Sequence, residues 1–319
     1  MKRLGRWAAA LAAAIAFQSF LPALQEARAA EQVDLGLDVN AAVLMEAETG
    51  VILYEYKANI PYPPASMTKM MTEYLVMEEV KAGRLKWDDM IYTSKAADAA
   101  IGSGQLMAEG VSYRADKVFQ LLSIYSGNDA AVAFAEHIAG TEENFAKKMN
   151  ETARLLGLSA DAHFINATGL SRSDMGEYAP KTIEGETQMT ALDAAKLARA
   201  IVTRHPEVLE VTKIPQIKFD EKDKAPMVNW NWMVEGNKDN VNLRKYAYEG
   251  LDGLKTGYTS TALYCFTGTA ERNGMRLISV VMGAKSEDAR FMETRKLLDY
   301  GFNNFEKQTI VAAKTELSD

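Results

Sequence analysis

Pro63-Pro64-Ala65-Ser66-Met67-Thr68-Lys69 sets a serine at the start of a helix with a lysine three residues behind it. Residues three apart on a helix share a face, so the Ser66 hydroxyl and the Lys69 amine reach each other on local geometry alone. Pro64 suits a helix entry, and Met67, Met70, Met71, Tyr74 and Leu75 form an apolar stripe at helical spacing that buries the helix and gives the lysine a dry setting. The helix is expected to stop near Lys81-Ala82-Gly83, where glycine supplies a left-handed cap. A lone Ser-x-x-Lys arises by chance about once in a chain this long, so the surrounding pattern decides its meaning.

Upstream, Ala41–Glu46 and Val51–Tyr56 are short apolar runs around Ala47-Glu48-Thr49-Gly50, a β-hairpin signature. Downstream, residues 88–110 read as surface loop, and Gly102-Ser103-Gly104 lacks the third glycine and the strand-to-helix setting of a dinucleotide site. Ala115, Val118, Phe119, Leu121, Leu122 and Tyr125 give a helical stripe broken at Ser126-Gly127-Asn128, and a helix resumes to Ile138. That break is either an ordinary cap or a tight turn projecting Ser126 and Asn128 from a rigid base. Helices are also expected over residues 145–158 and 192–201, a turn-rich structural loop over 163–170, and an irregular polar stretch over 203–249. The last third turns strand-like at 250–257, 263–270 and 275–283, with Arg272-Asn273-Gly274 as a hairpin turn, before a helix over about 286–300. Strands at both ends and helices between imply an α+β fold whose one sheet is assembled from distant segments, not alternating βαβ units.

Lys2, Arg3 and Arg6 precede the apolar run Trp7–Phe17, and Ala27-Arg28-Ala29 supplies a small-x-small cleavage pattern. Residues 1–29 are therefore read as a signal peptide and the mature chain as starting at Ala30, secreted across the cytoplasmic membrane to the cell envelope. A retained anchor is disfavoured because Gln18, Ser19 and Pro22 interrupt the run short of the roughly 18 residues that a span needs. Cleavage would remove four basic side chains and one acidic one, moving the formal net charge from −7 to −10. That sign argues against nucleic acid as a partner, and an anionic substrate would need a local basic pocket. Cys265 is the only cysteine, so no intrachain disulfide forms. The three histidines, His137, His163 and His205, sit in no catalytic pattern, and no metal or other cofactor is expected.

Lys255-Thr256-Gly257 falls on the first late strand, its glycine leaving room for a ligand along the strand. Ser66-x-x-Lys69, Ser126-Gly127-Asn128 and Lys255-Thr256-Gly257 follow one another in the order, and in the helix, loop and strand settings, of the penicillin-recognising serine enzymes. With 65–72 (ASMTKMMT), 164–170 (FINATGL) and 252–257 (DGLKTG), the chain most closely resembles the low-molecular-mass D-alanyl-D-alanine carboxypeptidases of Gram-positive bacteria, across almost its whole mature length.

The resemblance implies a β-lactamase/DD-peptidase-like antiparallel sheet flanked by helices beside an all-helical lobe. It also implies a catalytic domain over 30–304, with 305–319 as the start of a shortened C-terminal β-rich domain or tail. The family's chemistry would have Ser66 attack the carbonyl between two terminal D-alanines of a peptidoglycan stem peptide, Lys69 take its proton and Ser126 relay it. Asn128 would bond the substrate backbone, Lys255 and Thr256 hold the substrate carboxylate, and the strand at Gly257 and Tyr258 line the pocket. Backbone N–H groups of Ser66 and Tyr258 would form the oxyanion hole. Burial beside Lys255 would lower the pKa of Lys69. Arg290 matches a family arginine that contacts the carboxylate, with a surface salt bridge as the alternative. Trp230 stands where some relatives carry a basic residue. β-Lactam antibiotics are the implied covalent inhibitors, and membrane attachment would need a C-terminal anchor beyond Asp319.

Two other functions compete. A serine β-lactamase would need a carboxylate to activate water, and no Glu-x-x-Leu-Asn lies between Asn128 and Lys255. A non-turnover β-lactam sensor would need membrane-spanning helices joined to an effector.

Overall fold

A strand buried at every position, β1 (Ala41–Glu46), turns back into β2 (Ile52–Tyr56). The Glu46 carboxylate closes the turn by accepting from the backbone N–H groups of Glu48 and Thr49. The computed structural model describes residues 33–308, and residues from Gly36 onward form one unit. The expected signal peptide, its cleavage after Ala29, and residues 309–319 of the expected tail lie outside the described residues.

The serine stretch differs from expectation in two ways. Ser66 sits in a 3-10 turn, Ala65–Thr68, and the α-helix proper, α1 (Lys69–Lys81), begins at the lysine. The turn is entered through Ala65 at φ +49° and tightened by Met67 N–H donating to the Pro64 carbonyl at 3.1 Å. In addition, α1 is not a one-sided amphipathic helix. Every residue from Lys69 to Met77 is buried, because the helix lies between the sheet and the helical lobe. Gly83, at φ +70°, follows its end as anticipated.

The lobe contains α2 (Ala115–Ile124), α3 (Asn128–Ala139) and α4 (Glu142–Leu155). The turn between α2 and α3 is the Ser126-Gly127-Asn128 break. Next comes α5 (Ala191–Arg204), opened by a capping box between Thr190 and Asp193. Residues 88–110 are more ordered than a loop: Met90–Tyr92 pairs with Ser112–Arg114, and Lys95–Asp98 forms a helical turn. Within 203–249, Gln216–Ile217 pairs with Met227–Val228.

Three long strands, β3 (Leu251–Thr259), β4 (Leu263–Arg272) and β5 (Met275–Ala284), precede α6 (Ala289–Asn304). The sheet order is β2-β1-β5-β4-β3, antiparallel throughout, with Ala41 opposite Met282. Alternation along β1 and β5 divides the residues between two faces. Val43, Met45, Ile278 and Val280 join the core that holds Ala194, Leu197 and Ile201 of α5. Leu44 and Leu277 point to the other face, where Gly301 of α6 leaves room for them. The β3 strand is left at the sheet edge, beside the 3-10 turn that carries Ser66.

Candidate active site

Ser66, half-buried, lines a cavity of about 450 Å³ with Ser126, Asn128, Thr256, Gly257, Tyr258 and Arg290. Lys69 lies beneath it, fully buried, its Nζ donating to Ser66 Oγ at 3.0 Å, to Asn128 Oδ1 at 2.5 Å and to the Thr168 carbonyl at 2.9 Å. Three acceptors around a buried amine fix its direction. Burial holds the Lys69 pKa well below the usual lysine value, and the positive charge of Lys255 lowers it further. An amine so placed gives up its proton far more readily than a solvated lysine and faces a hydroxyl from which it can accept one.

Lys255 is also buried, and its Nζ donates to Ser126 Oγ at 2.8 Å and to the Thr256 carbonyl at 3.2 Å. Burial lowers its pKa to about 8, against the pull of Glu73. Lys255 thus meets Ser126 behind the cavity wall; the cation that lines the cavity is Arg290. That guanidinium is 3% exposed, and one of its nitrogens reaches Glu287 Oε1 at 3.3 Å while Nε has no partner. Burial lowers its pKa to about 10, which still leaves it charged at neutral pH.

Backbone strain collects at the same place. Ser126 has φ +66° and Ala65 φ +49°, in a region that side chains other than glycine seldom occupy. Gly257 is required by proximity. A Cβ there would lie 2.5 Å from the Pro64 carbonyl oxygen and 3.2 Å from Ser66 N, so β3 packs directly on the backbone of the serine turn.

Asn128, expected at the site, is engaged by Lys69, and its amide donates to the Ile101 carbonyl at 2.5 Å. Other contributors escaped sequence reasoning. The 101–107 loop, read as plain surface, closes one side of the cavity with Gly102 and Ser103. It is pinned by Asp129, whose Oδ2 accepts from Leu106 and Met107 N–H, and by Ser103 Oγ donating to the Tyr125 carbonyl at 2.6 Å. A signal was available in Gly104, at φ +108°, where a Cβ would fall 2.3 Å from Asp129 Oδ1. In the loop read as structural, Asn166 Oδ1 accepts from the Thr168 and Gly169 N–H groups and so presents the Thr168 carbonyl to Lys69. Trp230 forms another wall, stacked on Tyr125 at 5.7 Å with Nε1 donating to the Tyr125 carbonyl at 3.0 Å. Glu73, one turn after Lys69, is buried with neither oxygen hydrogen-bonded.

Among the described residues no group of three or more His, Cys, Asp or Glu is arranged to hold a metal ion, and no helix is long and apolar enough to cross a membrane.

Residues 26–286 match the pattern of the D-alanyl-D-alanine carboxypeptidase family. The chain belongs to that family. It is 36% identical over 274 residues to the D-alanyl-D-alanine carboxypeptidase DacF of Bacillus subtilis, covering 86% of this chain and 64% of that one. It is 35% identical over 280 residues to DacC of Escherichia coli, covering 86% and 63%. The chain thus spans a little under two thirds of the length of these curated relatives. Among solved structures, penicillin-binding protein D2 from Listeria monocytogenes in its ampicillin-bound form superposes with a TM-score of 0.70 at 33% identity, covering 85% of this chain and all of that one. The D-alanyl-D-alanine carboxypeptidase DacD from Francisella tularensis superposes with a TM-score of 0.73 at 30% identity, covering 89% of this chain and 74% of that one, so the α+β architecture is shared with both solved structures.

Proposed function

We propose that this chain is a serine D-Ala-D-Ala carboxypeptidase that removes the terminal D-alanine from peptidoglycan stem pentapeptides and is inhibited covalently by penicillin. The observation that carries the reading is a cavity-lining serine hydroxyl paired at 3.0 Å with a lysine amine that is wholly desolvated. That pair needs no histidine and no metal to make a nucleophile.

Neutral Lys69 takes the Ser66 proton as Oγ bonds to the penultimate D-alanine carbonyl carbon. The oxyanion faces the N–H groups of Ser66 and Tyr258. Ser126, held by Lys255, passes its proton to the nitrogen of the departing D-alanine as the C–N bond breaks and is reprotonated by the one that Lys69 took from Ser66. Water then hydrolyses the ester and restores Ser66. The substrate carboxylate is assigned to Arg290 and Thr256, both on the cavity wall, with Lys255 acting through Ser126. The open edge of β3 offers its backbone to an extended peptide, with Asn128 on the facing wall. The catalytic unit is placed at 30–304, and its working place is the cell envelope, reached through the leader at 1–29.

Two assays on one preparation test this. A peptide ending in D-Ala-D-Ala should release D-alanine over many turnovers, and intact mass spectrometry after mixing with penicillin should show one long-lived adduct on Ser66, absent from Ser66→Ala. Failure to release D-alanine overturns the carboxypeptidase reading. Rapid loss of the adduct with repeated penicillin hydrolysis replaces it with a β-lactamase.

A further inference from the structure

The Ser66–Lys69 pair, Ser126 and Lys255 account for four polar side chains of the centre, and a fifth group stands behind them without an assigned task. Glu73 follows Lys69 by four residues on α1, so the two side chains project from the same face one turn apart. It has no exposed surface, and neither carboxyl oxygen has a hydrogen-bond partner. A buried carboxyl left unpaired costs free energy that an apolar side chain of similar size would not, so packing gives no reason for it.

The surroundings give one. From β3, Lys255 is the strongest charge acting on Glu73, and Glu73 in turn is the strongest acting on Lys255. Lys69 acts on it from its own helix, and Ser123 of α2 favours its ionised form from outside hydrogen-bond geometry. Asp129 of α3 and Glu142 of α4 bear on Lys69, and Arg290 of α6 bears on Lys255. Two buried ammonium groups side by side repel, yet the mechanism needs one charged and one neutral. Ionised Glu73, charged Lys255 and neutral Lys69 make a set with no net charge, which a dry interior tolerates best.

We propose that Glu73 is a positioning residue for proton transfer: its buried carboxylate keeps the proton of the lysine pair on Lys255, leaving Lys69 free to accept the one from Ser66. This rests on the serine acyl-transfer reading above. Burial raises the Glu73 pKa to about 7 even against both lysines, so the carboxylate forms from about neutral pH upward, before Lys255 loses its proton at about 8.

The test is the pH dependence of acylation by a fluorescent penicillin, measured on the whole chain and its variants. In wild type the rate should rise as Lys69 loses its proton and fall as Lys255 loses its own. Glu73→Gln removes a charge coupled more strongly to Lys255 than to Lys69, so the alkaline limb should move to lower pH, by about half a pH unit or more, and further than the acid limb. Glu73→Asp, which restores the charge, should bring them back. Limbs that stay in place in Glu73→Gln, with only the amplitude or the melting temperature reduced, overturn the proposal and leave Glu73 a packing residue. Should Glu73→Gln fail to fold, Glu73→Met, which removes the unpaired polar group altogether, takes its place with the same expected shift. No acylation of wild type at any pH would instead overturn the functional reading, and this proposal with it.

Discussion

Lys255 Nζ donates to Ser126 Oγ at 2.8 Å, from a side chain 2% exposed, while the cavity beyond is lined by Arg290 and not by Lys255. The lysine of the third motif therefore faces the serine of the second and not the cavity, and it also bears electrostatically on the lysine of the first.

Lys255→Ala separates those roles. Ser126 loses its donor, so acylation should slow by about 10²–10³-fold, the range for losing one proton-transfer or charge-stabilising group. Lys69 also loses a like charge that holds its pKa down, so that pKa rises and the acid limb of the profile moves to higher pH. Stopped-flow acylation across pH checks both, and an unmoved limb would confine Lys255 to holding Ser126.

Arg290→Gln removes the guanidinium from the cavity wall. KM for a D-Ala-D-Ala peptide should rise about tenfold or more, since charge-assisted bonds contribute roughly 1.5–3 kcal/mol. A substrate amidated at its C-terminus should respond far less. Equal losses for both substrates would remove Arg290 from carboxylate binding.

Gly257→Ala tests the contact between β3 and the serine turn. The added Cβ meets the Pro64 carbonyl oxygen at 2.5 Å and backbone N of Met67 at 3.1 Å, atoms that cannot turn aside. Acylation should fall by about 10²-fold, because small displacements at a reacting centre weigh heavily. Circular dichroism should stay native, and a variant as active as wild type would show that the strand yields.

Stability at acid pH should depend on Glu79, 6% exposed and bonded to Arg84 and Lys148. The Arg84 hydrogen bond, with Lys148 adding to it against desolvation, lowers its folded pKa. The contribution is therefore complete above the unfolded value of about 4.3 and disappears as pH falls through the folded one. Melting curves of wild type and Glu79→Gln should differ at pH 7 and converge as the pH is lowered below about 4.

The sequence made some features plain and hid others, for physical reasons. The strands were legible because their apolar runs are bounded by Thr49-Gly50 and Asn273-Gly274 turns, which are local signals. The three motifs were legible because each sits on a short contiguous stretch. Burial of α1 on all sides was not, since Glu73 and Thr72 look like a polar face until the lobe and the sheet both cover them. Nor were the carbonyl of Thr168 and the pinned loop at Gly102-Ser103, because a backbone oxygen has no residue code and the loop is held by Asp129 and Tyr125 from over 20 positions away. Lys255 was assigned to the carboxylate by its charge, and only tertiary geometry turns that charge toward Ser126.

The pairing of Ala41 with Met282 has a kinetic consequence. The β1–β5 pairing at the middle of the sheet cannot form until nearly the whole chain is available, and such distant closures are slow to form. Ser66 and Lys69 are made early, but the cations and strand that complete their surroundings, from Lys255 to Arg290, arrive with the last segments. A stalled or clipped chain ending before β3 would thus carry the Ser66–Lys69 pair without the wall that encloses it, so that the cavity is completed only when folding is all but finished.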